Sequence, residues 1–218
     1  MNISFITQTH NRKTIFLQNL KKNLNKIKKF RNKIKINWVF NCDDGSVTEK
    51  DIRNIFDDFF DKKELDFINI YFFEYKYFFP KRYFNLMIKI KSDLVWCIED
   101  DDYILDIDFL LTNKINNYFG YYLSSSQKIN NYNLYFFKNK KINYVTLQLS
   151  QLIMKYNHLQ HFIKFNKKEI LNKDYINHDE LLINWFLKYK NVKIIQKNLF
   201  FQNINKDNMS YKDLKEWL

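Results

Sequence analysis

Four consecutive carboxylates, Glu99, Asp100, Asp101 and Asp102, close the apolar run "LVWCI" in a chain whose formal net charge is +12. Like charges about 4 Å apart repel by roughly 4 kcal/mol at an effective dielectric near 20. A strand that ends this way needs either a cation or a solvated turn. In extended conformation alternate side chains share a face, which predicts Asp100 and Asp102 on one side of the chain. Two carboxylates so placed offer hard oxygen ligands to Mg²⁺ or Mn²⁺, with water and phosphate oxygens completing the shell. The competing reading is an acidic turn that caps a helix beginning near Asp106.

Two further polar clusters have chemistry to offer. In "NCDDGS", residues 41–46, Gly45 is one of only two glycines in 218 residues. Glycine suits a position of positive φ or close backbone approach. Beside it, Asp43 and Asp44 could accept hydrogen bonds from a ribose or a base, or simply form an Asp-Gly turn. In "QTHNR", residues 8–12, Thr9, Asn11 and Arg12 stand at the end of an apolar segment, where Arg12 suits a phosphate.

These clusters need elements to position them. "NISFITQT" reads as a strand, and "KTIFLQNLKKNLNKIKKF" as a helix with Ile15, Leu20, Leu24 and Ile27 at helical spacing. "KINWVFNC" is a second strand. "TEKDIRNIFDDFF" is a helix with Thr48 as its N-cap. "LDFINIYFFEY" is a third strand, "PKRYFNLMIKIK" a helix opening at Pro80, and "DLVWCIE" a fourth strand. Such alternation implies an α/β fold: a Rossmann-like, mostly parallel central sheet flanked by helices. Ligands of open sheets bind beyond the carboxyl ends of strands. All three polar clusters follow strands directly, so they should share one crevice. The second half is less regular. Strands are expected over "NYNLYFFKN", "INYVTLQLSQLIM" and the short "VKIIQ", and helices over "HDELLINWFLKYK" and "SYKDLKEWL". "FGYYLSSSQKINNYNLYFFKNKK" is a candidate flap. "YFFEYKYFFPKRYF" interleaves aromatics with Lys76, Lys81 and Arg82, as core strand and loop or as a stacking platform.

In order and spacing, "ISFITQTHNR…FLQNL", "WVFNCDDGS" and "KRYFN…SDLVWCIEDDD" resemble the N-terminal half of GT-A glycosyltransferases of the family-two type. The resemblance covers roughly residues 2–110. It implies the GT-A fold over 1–218, with a nucleotide-sugar-binding half (1–105) and a smaller mixed acceptor-binding half (106–218). It also implies a nucleotide-diphosphate sugar donor, best matched by a UDP-sugar, with Mn²⁺ or Mg²⁺. By position, Thr9, Asn11, Arg12, Asp43 and Asp44 would hold the nucleoside, with Arg82 and Asp100 near it. Asp100, Asp101 and Asp102 would supply the D-x-D function, although Glu99-Asp100-Asp101 fits the motif equally. "NHDELL" stands where inverting members carry a catalytic base, which points to Asp179 or Glu180; a carboxylate that merely favours a helix N-terminus is the alternative. The chain departs from the family at Gln8 (usually proline), at Ser92 (commonly glycine), and at Asn203, where some relatives have a metal-binding histidine.

Composition bounds the setting and the partners. No alanine occurs, and Lys, Asn, Ile, Phe and Tyr abound, the residues of A/T-rich codons. That bias inflates the lysine count and would suit a virus or phage. Its distribution says more: ten basic residues, Arg12 to Lys35, precede the first acidic one, Asp43. This basic first helix is either a solvated face or a surface for a polyanion. A hydroxymethylated pyrimidine in DNA is therefore one candidate acceptor, and a surface glycan, lipopolysaccharide or protein the alternative. No apolar run approaches 18 residues and the N-terminus lacks a signal peptide's apolar region, so a cytoplasmic protein without a membrane span is expected. Cys42 and Cys97 are expected as reduced, packed thiols. A nuclease centred on Glu74 and Lys76, or a non-catalytic nucleic-acid-binding module, would explain the basic charge but leave the four acids without a role.

Overall fold

The computed structural model describes residues 1–75, 80–112, 120–129, 132–135, 152–171, 181, 182, 185 and 192–203. Its elements in chain order are β1 (Asn2–Thr9), α1 (Lys13–Ile27), β2 (Lys35–Cys42), α2 (Glu49–Phe59), β3 (Ile68–Phe73), α3 (Pro80–Met87), β4 (Leu94–Cys97), β5 (Asp102–Ile104), α4 (Phe109–Thr112), β6 (Gly120–Ile129), β7 (Tyr132–Tyr135), β8 (Leu152–Lys155), α5 (Tyr156–Phe165), α6 (Lys167–Leu171) and β9 (Val192–Asn203). They form one sheet in the order β3-β2-β1-β4-β8-β6-β9-β5, with β7 paired to β6. The first four of these strands are mutually parallel. From β8 onward the sheet is mixed. This is the α/β fold with a parallel centre that the strand–helix alternation predicts.

The parallel strands are mostly apolar, with Ser4, Thr7, Asn37 and Asn41 as buried exceptions, because helices cover both faces. Alternation divides them between two cores. Phe5, Trp38, Phe40 and Trp96 face α1 and α2. Ile6, Val39, Val95 and Cys97 face the layer containing Phe84, Leu159 and Phe162. Phe5 meets Trp38 edge-on at 5.2 Å and Trp96 at 5.8 Å. The Trp38 indole N–H donates to the Thr7 hydroxyl at 3.0 Å, so this fully buried ring leaves no polar atom unsatisfied.

Local signals set the helices. Thr48 caps α2 in a reciprocal capping box with Asp51. In α1 the buried stripe is Phe16, Asn19, Leu20, Asn23, Leu24 and Ile27, so Phe16 rather than Ile15 leads it. Three expected elements are shorter: residues 28–30 and 65–67 are 3₁₀ turns, and α3 stops at Met87. The chain must return there, because the Asp93 amide bonds the Asn2 carbonyl to start β4 beside β1.

The second half differs more from expectation. The candidate flap enters the sheet as β6, with β7 folded back on it. The strand expected at residues 192–196 continues to Asn203: β9 pairs with β6 over 192–195 and again over 200–203 after a register shift, and with β5 over 200–202. Leu181, Leu182 and Trp185 are helical as expected. Most of the strand expected over residues 142–154 and the whole helix expected over 210–218 lie outside the described residues.

Candidate metal and nucleotide site

The strand order reverses direction across β1: β2 and β3 lie on one side, β4 on the other. The loops after β1, β2 and β4 therefore open onto one crevice at the switch point, the usual ligand position in an open parallel sheet. They carry the three polar clusters.

Between β1 and α1 the chain turns at Asn11, which adopts a left-handed φ of 53°. Asparagine tolerates that conformation better than most residues. The Asn11 N–H donates to Asp44 Oδ2 at 2.7 Å, tying the first loop to the second. Asp44 Oδ1 also accepts from the Ser46 N–H (3.0 Å), the Ser46 hydroxyl (2.8 Å) and the Cys42 thiol (3.1 Å). Partial burial pushes the Asp44 carboxyl up, but these donors outweigh it and hold it well below the usual carboxylate range. Between them Gly45 sits at φ +71°, with no atom near the space a Cβ would fill. Backbone conformation, not crowding, selects glycine there. Asp43 Oδ1 lies 2.7 Å from Nδ1 of the exposed His10.

After β4 the chain does not stay extended. The Asp102 N–H bonds the Glu99 carbonyl at 3.1 Å, closing a turn over the four acids. Asp100 and Asp102 are therefore not strand neighbours on one face, and the acids divide differently. Arg12 Nη1 reaches Asp100 Oδ1 at 3.1 Å and Asp101 Oδ2 at 2.9 Å. Glu99, Asp101 and Asp102 each bring one carboxylate oxygen within 4.8 Å of the other two. Burial, then the Asp101 charge, raises the Asp100 carboxyl to about 6, against the opposing pull of Arg12. Burial lowers Arg12, but Asp100 and Asp101 more than restore it, so it stays charged. This answers part of the electrostatic problem: one guanidinium serves two of the acids. Three hard oxygens converging beside it are a donor set that fits Mg²⁺ or Mn²⁺.

The turn itself hangs from α1. Asn19 Nδ2 donates to the Asp100 carbonyl at 3.3 Å and Asn23 Nδ2 to the Asp102 carbonyl at 3.5 Å, while Asn23 Oδ1 accepts from the Ile104 N–H at 2.7 Å.

Of the residues singled out in the sequence, Thr9, Asn11, Arg12, Asp43, Asp44, Asp100, Asp101 and Asp102 all lie at these three strand ends. Arg82 lies in the first turn of α3. Asp179 and Glu180 lie outside the described residues. The backbone of Gln202 pairs with Asp102, so Asn203 follows directly beside the acidic turn. His10, Asn19 and Asn23 were not legible as site residues one by one. The two asparagines did leave a signal, as amides four apart on an otherwise apolar helical stripe.

An α/β sheet with a switch-point crevice, a carboxylate turn after the fourth parallel strand and a mixed extension defines the GT-A glycosyltransferase fold. Solved structures of that class match the chain. Residues 1–349 of TarS from S. aureus in complex with UDP-GlcNAc superpose with a TM-score of 0.60 at 14% identity, covering 97% of this chain and 61% of that one. The mannosyltransferase PcManGT from Pyrobaculum calidifontis, in complex with GDP-Man and Mn²⁺, gives 0.58 at 10%, covering 98% and 60%. The galactosyltransferase LgtC, in complex with donor and acceptor sugar analogs, gives 0.53 at 8%, covering 99% and 94%. The chain thus spans about three fifths of TarS 1–349 and of PcManGT. No family model and no curated protein sequence matches the chain.

Proposed function

We propose that the chain is a metal-dependent glycosyltransferase that moves a hexosyl or pentosyl unit from a nucleotide-diphosphate sugar to an acceptor hydroxyl. The observation that carries this reading is the convergence of Glu99, Asp101 and Asp102 beside Arg12, at the switch point of a GT-A sheet. Those three acids would hold Mn²⁺ or Mg²⁺, which supplies charge neutralisation on the leaving diphosphate. Arg12, anchored by Asp100, offers a second positive group to the phosphates. Thr9, Asn11, Asp43 and Asp44 form the nucleoside side of the crevice, with the loop held rigid by the hydrogen bonds to Asp44. Arg82 is assigned to the same side. A UDP-sugar is the proposed donor; the UDP-GlcNAc carried by the TarS structure supports it, as the GDP-Man of PcManGT supports the wider class. Asp179 or Glu180 is the proposed base that takes the acceptor proton.

The proposed acceptor is a hydroxyl on a polyanion, and a hydroxymethylated pyrimidine in DNA is the first to try. Lys21, Lys26, Lys33 and Lys35 are exposed and have no acidic partner among the described residues. Fifteen residues of α1 run roughly 22 Å back from the crevice, a length suited to a polymer rather than a lone sugar. A cytoplasmic site of action goes with the free thiols of Cys42 and Cys97. Among the described residues no helix is long and apolar enough to cross a membrane.

The test is nucleotide release from a panel of UDP- and GDP-sugars with Mn²⁺ or Mg²⁺, by wild type and Asp101→Asn. Release by wild type alone supports the reading; no release or donor binding under any metal and acceptor condition refutes it. Transfer to modified DNA that weakens steeply between about 50 and 200 mM salt supports the DNA acceptor. Salt-insensitive transfer to a glycan or protein overturns it.

A further inference from the structure

Buried amides on an apolar helical stripe need a reason, because an unpaired buried amide is costly. Asn19 and Asn23 are 4% and 3% exposed, and they project into the same core as Phe16, Leu20 and Leu24. Both direct an amide N–H out of their own helix. Asn23 receives the Ile104 N–H on Oδ1 at 2.7 Å and directs Nδ2 to the Asp102 carbonyl. The Ile104 donor fixes which end of the amide faces which partner. Asn19 directs Nδ2 to the Asp100 carbonyl, and its Oδ1 accepts from Lys22 Nζ at 3.2 Å. Lys22 in turn lies over the Tyr103 ring, 4.4 Å from its centroid. The main chain of residues 100–104 is thus gripped at alternate positions by a single helical turn of α1.

Arg12, the N-cap residue of the same helix, meets Asp100 and Asp101 with its guanidinium. Backbone and side chains of the acidic turn are therefore referenced to one rigid element, although α1 and the turn are about 80 residues apart in sequence. Both carbonyls adjoin the carboxylate trio: Asp102 belongs to it, and Asp100 lies between Glu99 and Asp101. A few tenths of an ångström of drift in this turn would change the spacing of oxygens that must converge on one ion.

We infer that Asn19 and Asn23 are positioning residues that clamp the main chain of the acidic turn onto α1 and so set the carboxylate trio in metal-binding geometry. The inference rests on the function proposed above only for the use made of the trio; the clamp itself is tested without metal.

The experiment compares wild type, Asn23→Leu, Asn19→Leu and a control, Leu159→Ala, in the core on the opposite face of the sheet. Asn23→Ala serves where leucine prevents folding. Two quantities are read well below each variant's Tm: amide hydrogen exchange at Ile104 and its neighbours, and Mn²⁺ affinity by electron paramagnetic resonance. The clamp predicts exchange at Ile104 about tenfold faster in Asn23→Leu than in the control, the effect of one lost buried hydrogen bond on local opening. It also predicts Mn²⁺ affinity weaker by about tenfold in Asn23→Leu, and weaker in Asn19→Leu, with Leu159→Ala unchanged. Unchanged Ile104 exchange, or faster exchange with undiminished Mn²⁺ affinity, overturns the inference. Absence of Mn²⁺ binding by the wild type overturns the positioning role together with the metal site, and the exchange result then decides whether the clamp exists.

Discussion

Asp100 is the acid whose environment gives the sharpest energetic prediction. Its carboxyl is buried, sits beside Asp101 and titrates at about 6 in the fold against 3.8 for an ordinary aspartate. A rise of about two units corresponds to roughly 3 kcal/mol at 1.36 kcal/mol per unit. Because the folded-state value is the higher one, the ionised group destabilises the fold. The penalty is full above pH 7, is relieved as the pH falls through 6, and is gone below about 4. Asp100→Asn removes the charge and keeps an acceptor for Arg12, which also retains Asp101. The variant should be more stable than wild type by about 1–3 kcal/mol at pH 7.5, the upper figure being the whole linkage effect. By pH 4.5 most of that advantage should have disappeared. Urea unfolding of both proteins at the two pH values measures it. If Asp100→Asn is less stable by the same amount at both, the ion pair with Arg12 outweighs burial and the like charge of Asp101, and the reasoning fails. A site that is destabilising until a cation enters is the expected trade of stability for function.

Other consequences follow from the same geometry. Mn²⁺ at a hundred times its dissociation constant should stabilise wild type by about 2.7 kcal/mol in thermal unfolding, and Asp101→Asn by far less. Gly45→Ala should cost about 1–2 kcal/mol, since φ +71° penalises any Cβ even with open space around it, and should weaken nucleotide binding by loosening the Asp44 loop. Asp51, pulled down to about 2 by Lys13 first and then by the Thr48 N–H, contributes stability that is present above pH 4 and lost as the pH falls towards 2. Asp51→Asn should therefore cost about 1 kcal/mol at pH 7, with the difference from wild type shrinking in that acidic window. Replacing Lys21, Lys26, Lys33 and Lys35 by Gln should leave thermal stability nearly unchanged and flatten the salt dependence of any DNA binding, measured by titration at several salt concentrations.

The parallel core was legible because its strands are short, mostly apolar runs, and those of β1, β2 and β4 lead straight into polar clusters. β1 and β2 have the bounds the pattern indicates, and Thr48 caps α2 as its position suggests. The acidic turn was legible as a site but not in its geometry. Extended-chain alternation pairs Asp100 with Asp102, whereas a single turn bond from Asp102 to Glu99 regroups the acids and hands Asp100 to Arg12. That bond depends on how β5 leaves towards β9, a contact almost 100 residues away in sequence. The length of β9 was hidden for the same reason: partners on both sides, not its own composition, keep it extended past Ile195. Asn19 and Asn23 break the apolar period of α1, yet only the folded structure gives them partners.

The central claim is that the carboxylate trio and Arg12 hold a divalent cation and a nucleotide diphosphate together. Isothermal titration of UDP and GDP into wild type and Asp101→Asn, each with and without Mn²⁺, tests it most directly. The account predicts that one nucleotide binds wild type at least tenfold more tightly with Mn²⁺, and that this coupling vanishes in Asp101→Asn while the protein stays folded. Binding that ignores Mn²⁺, or no binding of either nucleotide by folded wild type, would contradict it.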